Sequence, residues 1–122
     1  MGSCTFAEDF IQKKAQLKVL NDMFKAKVKS NLDGVAMEAL TSVFVAADAF
    51  NRAKDLSPDA VRDALATTAL EIATLPGKGV KFDSNGQNIW IDSTMSQIIA
   101  SDYKVVWPAE WATSSVVWPM RP

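Results

Sequence analysis

The chain has 122 residues, one domain's worth, with 48% apolar and 22% charged residues, an ordinary globular balance that excludes wholesale disorder and collagen-like repeats. Thirteen Lys and Arg against fourteen Asp and Glu leave a net charge of −1, so no global field draws the chain to nucleic acid or an anionic membrane. There is no His, which removes His-based triads, His metal sites and the commonest proton shuttle near neutral pH.

Cys4 is the single cysteine, so neither an intrachain disulfide nor a multi-cysteine zinc site is available. It lies next to Met1-Gly2-Ser3, without the charged segment and apolar run of a signal peptide. No stretch approaches the ~18–20 apolar residues of a membrane span. No cofactor or metal is expected.

In chain order, the first predicted element is a helix over residues 5–29. Thr5 and Glu8 have the spacing of a capping box, and Phe10, Leu17, Leu20, Phe24 and Val28 recur at helical intervals. Lys13, Lys14, Lys18, Lys25, Lys27 and Lys29 lie between them. They read as a solvated face rather than a phosphate-binding surface, because no aromatic residue is interleaved to stack on bases. Ser30-Asn31-Leu32-Asp33-Gly34 is a polar loop, with Asp33 placed to cap a second helix that continues to about Ala53. That helix is apolar on nearly every side over 35–50, so other protein is expected to cover most of it. Glu38 and Asp48 are its only charges before Arg52, and both are expected to face water along a seam.

Leu56-Ser57-Pro58-Asp59-Ala60-Val61 is a strong helix start. Ser57 suits the N-cap and Pro58 the first helical position, where a missing amide costs nothing. This third helix fades near Thr67-Thr68, and 74–79 is a hinge-like connector. Beyond Gly79 the texture becomes strand-like, with Val80-Lys81-Phe82 alternating. Asp83-Ser84-Asn85-Gly86 has turn chemistry. It also matches the start of a calcium loop, but Thr94 stands where such a loop needs a bidentate Glu, so the turn is preferred. Asn88-Ile89-Trp90-Ile91 is a candidate short strand. Residues 95–100 and 103–107 form a predicted hairpin across Ser101-Asp102. The tail repeats a pattern, Val105-Val106-Trp107-Pro108 and Val116-Val117-Trp118-Pro119, each a β-prone run stopped by proline. Trp107, Trp111 and Trp118 read as a strand and flap packed on a core rather than as an aromatic ligand box.

This order resembles the C-terminal third of the periplasmic substrate-binding proteins of branched-chain amino-acid-type ABC transporters, the type 1 periplasmic-binding fold. The resemblance is carried by Asn21-Asp22-Met23-Phe24-Lys25, Ala47-Asp48-Ala49-Phe50-Asn51-Arg52-Ala53 and Ser57-Pro58-Asp59-Ala60-Val61-Arg62-Asp63-Ala64-Leu65. It continues through Gly79-Val80-Lys81-Phe82-Asp83-Ser84-Asn85-Gly86-Gln87-Asn88, Tyr103-Lys104-Val105-Val106-Trp107-Pro108 and Val117-Trp118-Pro119-Met120. It covers most of the chain from Phe6 onward, by ordered texture rather than by a catalytic fingerprint.

The resemblance implies an α/β fold, α+β as a fragment. Three N-terminal helices precede a small β region, with 1–78 belonging to one lobe and 79–122 returning to the other. It implies that the front two-thirds of the family pattern, with most ligand contacts and the export signal, lies outside this chain. It implies a periplasmic or extracytoplasmic location, a small-molecule ligand such as an amino acid, and an ABC permease as partner. Ligand contacts would come from Val35, Ala36, Met37 and Glu38 at the start of the second helix. Many relatives have small polar residues, often an Arg, around the position of Glu38. This sequence departs there, so the ligand's chemistry does not transfer. A helix N-terminus offers free amides to a carboxylate, while Glu38 would oppose that carboxylate or meet an amino group. Two readings follow: a non-catalytic part of a solute-binding protein, or a structural module that self-associates into a homo-oligomer through its exposed edges. No nucleophile–base pair or metal cluster can be assembled, so an enzyme is not expected.

Overall fold

The structure, a computed structural model, describes residues 8–72 and 74–119. It is a mixed α/β arrangement of three α-helices and two small antiparallel sheets. The helices are α1 (Ala15–Val28), α2 (Gly34–Arg52) and α3 (Pro58–Ala66). The strands are β1 (Ala69–Glu71), β2 (Gly79–Lys81), β3 (Met95–Ile99) and β4 (Asp102–Trp107). The chain divides into two compact units: Met1–Gly34 with Ser93–Pro122, and Val35–Asp92.

In the first unit, the predicted opening helix is broken. A 3-10 helix at Glu8–Lys13 gives way at Lys14, whose φ of −130° and ψ of 119° are extended, before α1 begins. Lys14 offers no side-chain cap, and Thr5 of the predicted capping box lies outside the described residues. The break lets Phe10 and Ile11 turn inward as Leu17 also buries. The exposed lysines 13, 18, 25, 27 and 29 lie where a solvated face was expected. Helix α1 ends at Lys29, whose left-handed φ of 65° closes the last turn through its N–H on the Lys25 carbonyl. Asn21 is buried within the helix and ties down the following loop. Its side chain accepts from the Leu32 amide at 2.8 Å and donates to Asn31 at 3.1 Å.

Strands β3 and β4 form the predicted hairpin, with the two-residue turn at Ala100-Ser101, one position earlier than predicted. Both turn residues have positive φ, 52° and 65°, as the tight turns that match strand twist require. Register slips between Met95 and Ser96 as Val106 bulges out. The tail then seals the hairpin without adding a strand. The Val105 carbonyl accepts from the amides of Thr113 and Ser114, and the Val105 amide donates to the Thr113 hydroxyl. The Gln97 side chain clasps Val117 from both sides, donating to its carbonyl and accepting from its amide, each at 2.9 Å. The β-prone Val116-Val117 run is therefore held by one side-chain amide, not by a strand ladder. Trp111 packs inward, whereas Trp107 and Trp118 remain exposed.

In the second unit, α2 runs from Gly34 and α3 starts where the sequence places it. The Ser57 hydroxyl accepts from the Ala60 amide, with Pro58 first in the helix. Hydrogen bonds from the Ser57 side chain and, at 2.8 Å, from the Ser57 amide to the Asp55 carboxylate hold its pKa below the ordinary carboxylate value. Two local expectations are corrected. Residues 69–71 form β1, pairing antiparallel with β2 ahead of the expected helix-to-strand boundary. Residues 88–91 form no strand and meet their neighbours only through single bridges, Phe82 to Asn88 and Gly77 to Ile91. The reason is Asn88, whose side chain does the work of a strand. Its Oδ1 accepts from the amides of Lys81 and Trp90, and its Nδ2 donates to the Gly79 carbonyl, all at 3.0 Å. The Asp83 turn forms as read: Asp83 Oδ1 accepts from the amides of Asn85 and Gln87, and Gly86 takes φ +78°.

Arg52 locks the end of α2 to the end of α3. Its guanidinium makes two bonds to Asp48, at 2.9 and 2.7 Å, and reaches the Ala64 carbonyl at 2.8 Å, with Thr67 and Thr68 beyond. Asp48 is thus half-buried in an ion pair, where the sequence led us to expect a carboxylate simply facing water.

Candidate functional site

The four residues singled out at the start of α2 do not converge. Val35 is 76% exposed, Ala36 is half-buried and Met37 is fully buried. This spread follows from helix geometry, since consecutive residues point about 100° apart and no four in a row share a face. Of the four, Glu38 lines the cavity described next.

That cavity lies within the second unit and has a volume of about 360 Å³. It takes one face of α2, on which Glu38, Thr41, Ser42, Val45 and Ala49 recur at three- and four-residue spacing. Val61 and Leu65 of α3 form a second wall, and Leu75, Val80 and Phe82 a third. The lining is mostly apolar, and its polar members differ in one respect. Thr41 donates to the Met37 carbonyl at 2.7 Å and shares a buried hydroxyl contact with Thr74, also at 2.7 Å. Ser42 donates to the Glu38 carbonyl at 2.9 Å, and Asn88 is occupied by β2 and Trp90. The Glu38 carboxylate has no hydrogen bond or ion pair among the described residues.

Thr41, Ser42 and Asn88 were not singled out as site residues by the sequence. The signal for the α2 pair was present in the spacing from Glu38 to Ala49. Asn88 carried none, because its place in the wall depends on the chain returning past β2.

The far side of α2 is also informative. Val43 there is more than half exposed, as are Val35 and, among the cavity's lining residues, Phe50, so the described chain does not cover this apolar helix on most sides as its composition predicts. Among the described residues, no three His, Cys, Asp or Glu side chains gather where a metal could sit. No helix among them is long and apolar enough to cross a membrane. No protein-family model matches the sequence, and no curated protein matches it.

Proposed function

We propose that the chain is part of an extracytoplasmic solute-binding protein serving ABC import of amino acids or similar small molecules, and that it performs no chemistry. The observation that carries this reading is the cavity in the second unit. It is built on the same helix whose first turns would supply ligand contacts by resemblance, and Glu38 belongs to both. The chain's partners would be an amino acid or analogue and an ABC permease, with location in the periplasm or its equivalent.

A cleft site buries most of its ligand between two walls, and in this reading the present chain supplies only part of them. Calorimetry with a panel of branched-chain and related amino acids is therefore expected to show weak binding or none for this chain alone. Reading the gene upstream of Met1 tests the proposal directly. Coding sequence for the front of a two-lobed protein with an export signal supports it, and an unrelated preceding gene overturns it.

A second reading is favoured by the exposed apolar side chains on α2, with Ile98 at 64% and Trp118 at 83% exposure in the other unit. Such surface is worth roughly 1.5–3 kcal/mol per large side chain when buried. In this reading the chain is a self-associating structural module that binds no ligand. Light scattering at micromolar concentration showing a homodimer or larger assembly, together with no ligand in the panel, favours it.

A further inference from the structure

We propose that the cavity of the second unit takes a small hydrophobic monocation, an ammonium carrying an apolar body and no carboxylate. The cavity's size falls within the roughly 300–1,000 Å³ of small-molecule sites. Its walls, from Val45, Ala49, Val61, Leu65, Val80 and Phe82, suit an alkyl chain or single ring.

The charge argument decides the head group. Every hydrogen-bonding side chain in the lining except Glu38 is already committed to the protein. Thr41 is paired with Met37 and Thr74, Ser42 with the Glu38 carbonyl, and Asn88 with Gly79, Lys81 and Trp90. These side chains are neutral and each already makes at least one bond within the protein, so none offers a ligand a charge. Glu38 is the one charged lining group, its carboxylate has no hydrogen bond or ion pair among the described residues, and no Lys or Arg lies in the lining to offset it. A carboxylate ligand meets no cation there and is repelled by Glu38. A neutral ligand of the same shape fills the walls but leaves Glu38 unused. An ammonium with an apolar body satisfies both features.

This inference stands on the second unit alone. It shares Glu38 with the solute-binding reading but does not require a second lobe or an amino-acid ligand. It narrows the ligand to one in which a carboxylate is a penalty rather than a handle.

The probes are n-hexylammonium chloride, hexan-1-ol and leucine, titrated into the full chain and followed by amide and methyl NMR shifts. Hexylammonium is expected to give saturable shifts at Val45, Ala49, Leu65 and Val80, and to bind about fivefold more tightly than hexan-1-ol, the reach of one solvent-facing charge pair. The exposed variant Glu38→Gln keeps the cavity walls and is expected to remove that advantage while leaving hexan-1-ol binding unchanged. Equal binding of the two probes to the unaltered chain, an undiminished preference in Glu38→Gln, or no saturable shift at these residues overturns the proposal. Leucine saturating the same residues more tightly than hexylammonium also overturns it, while supporting the solute-binding reading. Hexylammonium binding without leucine binding supports this proposal whatever the upstream gene encodes.

Discussion

The ring of Phe10 meets that of Trp111 edge-on, with centroids 5.6 Å apart and planes inclined at 67°, joining the two ends of the first unit. This is the geometry that aromatic quadrupoles favour. Lys14 lies 4.7 Å from the Trp111 ring centroid, adding a cation above the same ring. Phe10 is 1% exposed, so this contact is core rather than surface decoration. Phe10→Ala is expected to cost about 3–5 kcal/mol, the usual range for emptying a buried aromatic site. Urea denaturation followed by circular dichroism measures it, and a loss below about 1 kcal/mol would show that the two ends do not depend on this contact.

Gly79 and Gly86 separate steric need from conformational need. Both have positive φ, +148° and +78°. A Cβ on Gly79 would drive into the Leu70 carbonyl and crowd the Ile72 amide, whereas one on Gly86 meets open space. Gly86→Ala carries only the left-handed penalty, about 1 kcal/mol. Gly79→Ala is expected to cost at least about 2 kcal/mol, since the β1–β2 pairing must also move. Thermal unfolding of the two variants side by side checks the order.

Arg52→Lys is expected to destabilise the second unit by about 1–2 kcal/mol although the charge is kept. An ammonium lacks the planar fork that serves Asp48 and the Ala64 carbonyl together. Hydrogen exchange at the end of α3 is the sensitive readout. Unchanged protection there would show that the end of α3 does not rely on the Arg52 clamp.

The hairpin turn invites improvement. Ala100 and Ser101 occupy left-handed backbone that Asn and Gly adopt more readily. The double change Ala100→Asn with Ser101→Gly is expected to stabilise the first unit by roughly 1 kcal/mol. A lowered melting temperature would contradict the turn geometry.

Asp102 gives a small acid dependence with a definite sign. The Lys104 ammonium donates to it at 2.9 Å, and that hydrogen bond and charge hold the Asp102 pKa below its ordinary value. A carboxylate depressed in the folded state contributes stability that is complete above its unfolded pKa. That contribution is lost as pH falls through the lower folded value. Asp102→Asn should therefore matter near neutral pH and cease to matter in strong acid. The effect should be small and weaken with salt, since Asp102 is solvent-exposed. Denaturation curves at the two pH limits test it.

Much of this protein was legible without coordinates because its signals are local. Ser57-Pro58 announces α3 through one hydroxyl and one missing amide. The Asp83 turn is made by its own side chain, and the hairpin follows from alternation on either side of a break. Apolar periodicity places all three helices, and Glu38 stood out as a charge on an apolar helix. What tertiary structure decided depends on partners distant in sequence. Lys14 interrupts the opening helix in the segment where Phe10 turns inward to Trp111. Residues 69–71 become a strand because β2 returns alongside them, and 88–91 do not because the Asn88 side chain takes the backbone bonds first. Asp48 pairs rather than simply facing solvent because α3 brings carbonyl and hydroxyl acceptors to the other side of Arg52. The candidate site follows the same division. Sequence alone marked Glu38, but only tertiary structure brought residues of α3 and β2 together with α2 to line a cavity in which Glu38 is the one charged side chain.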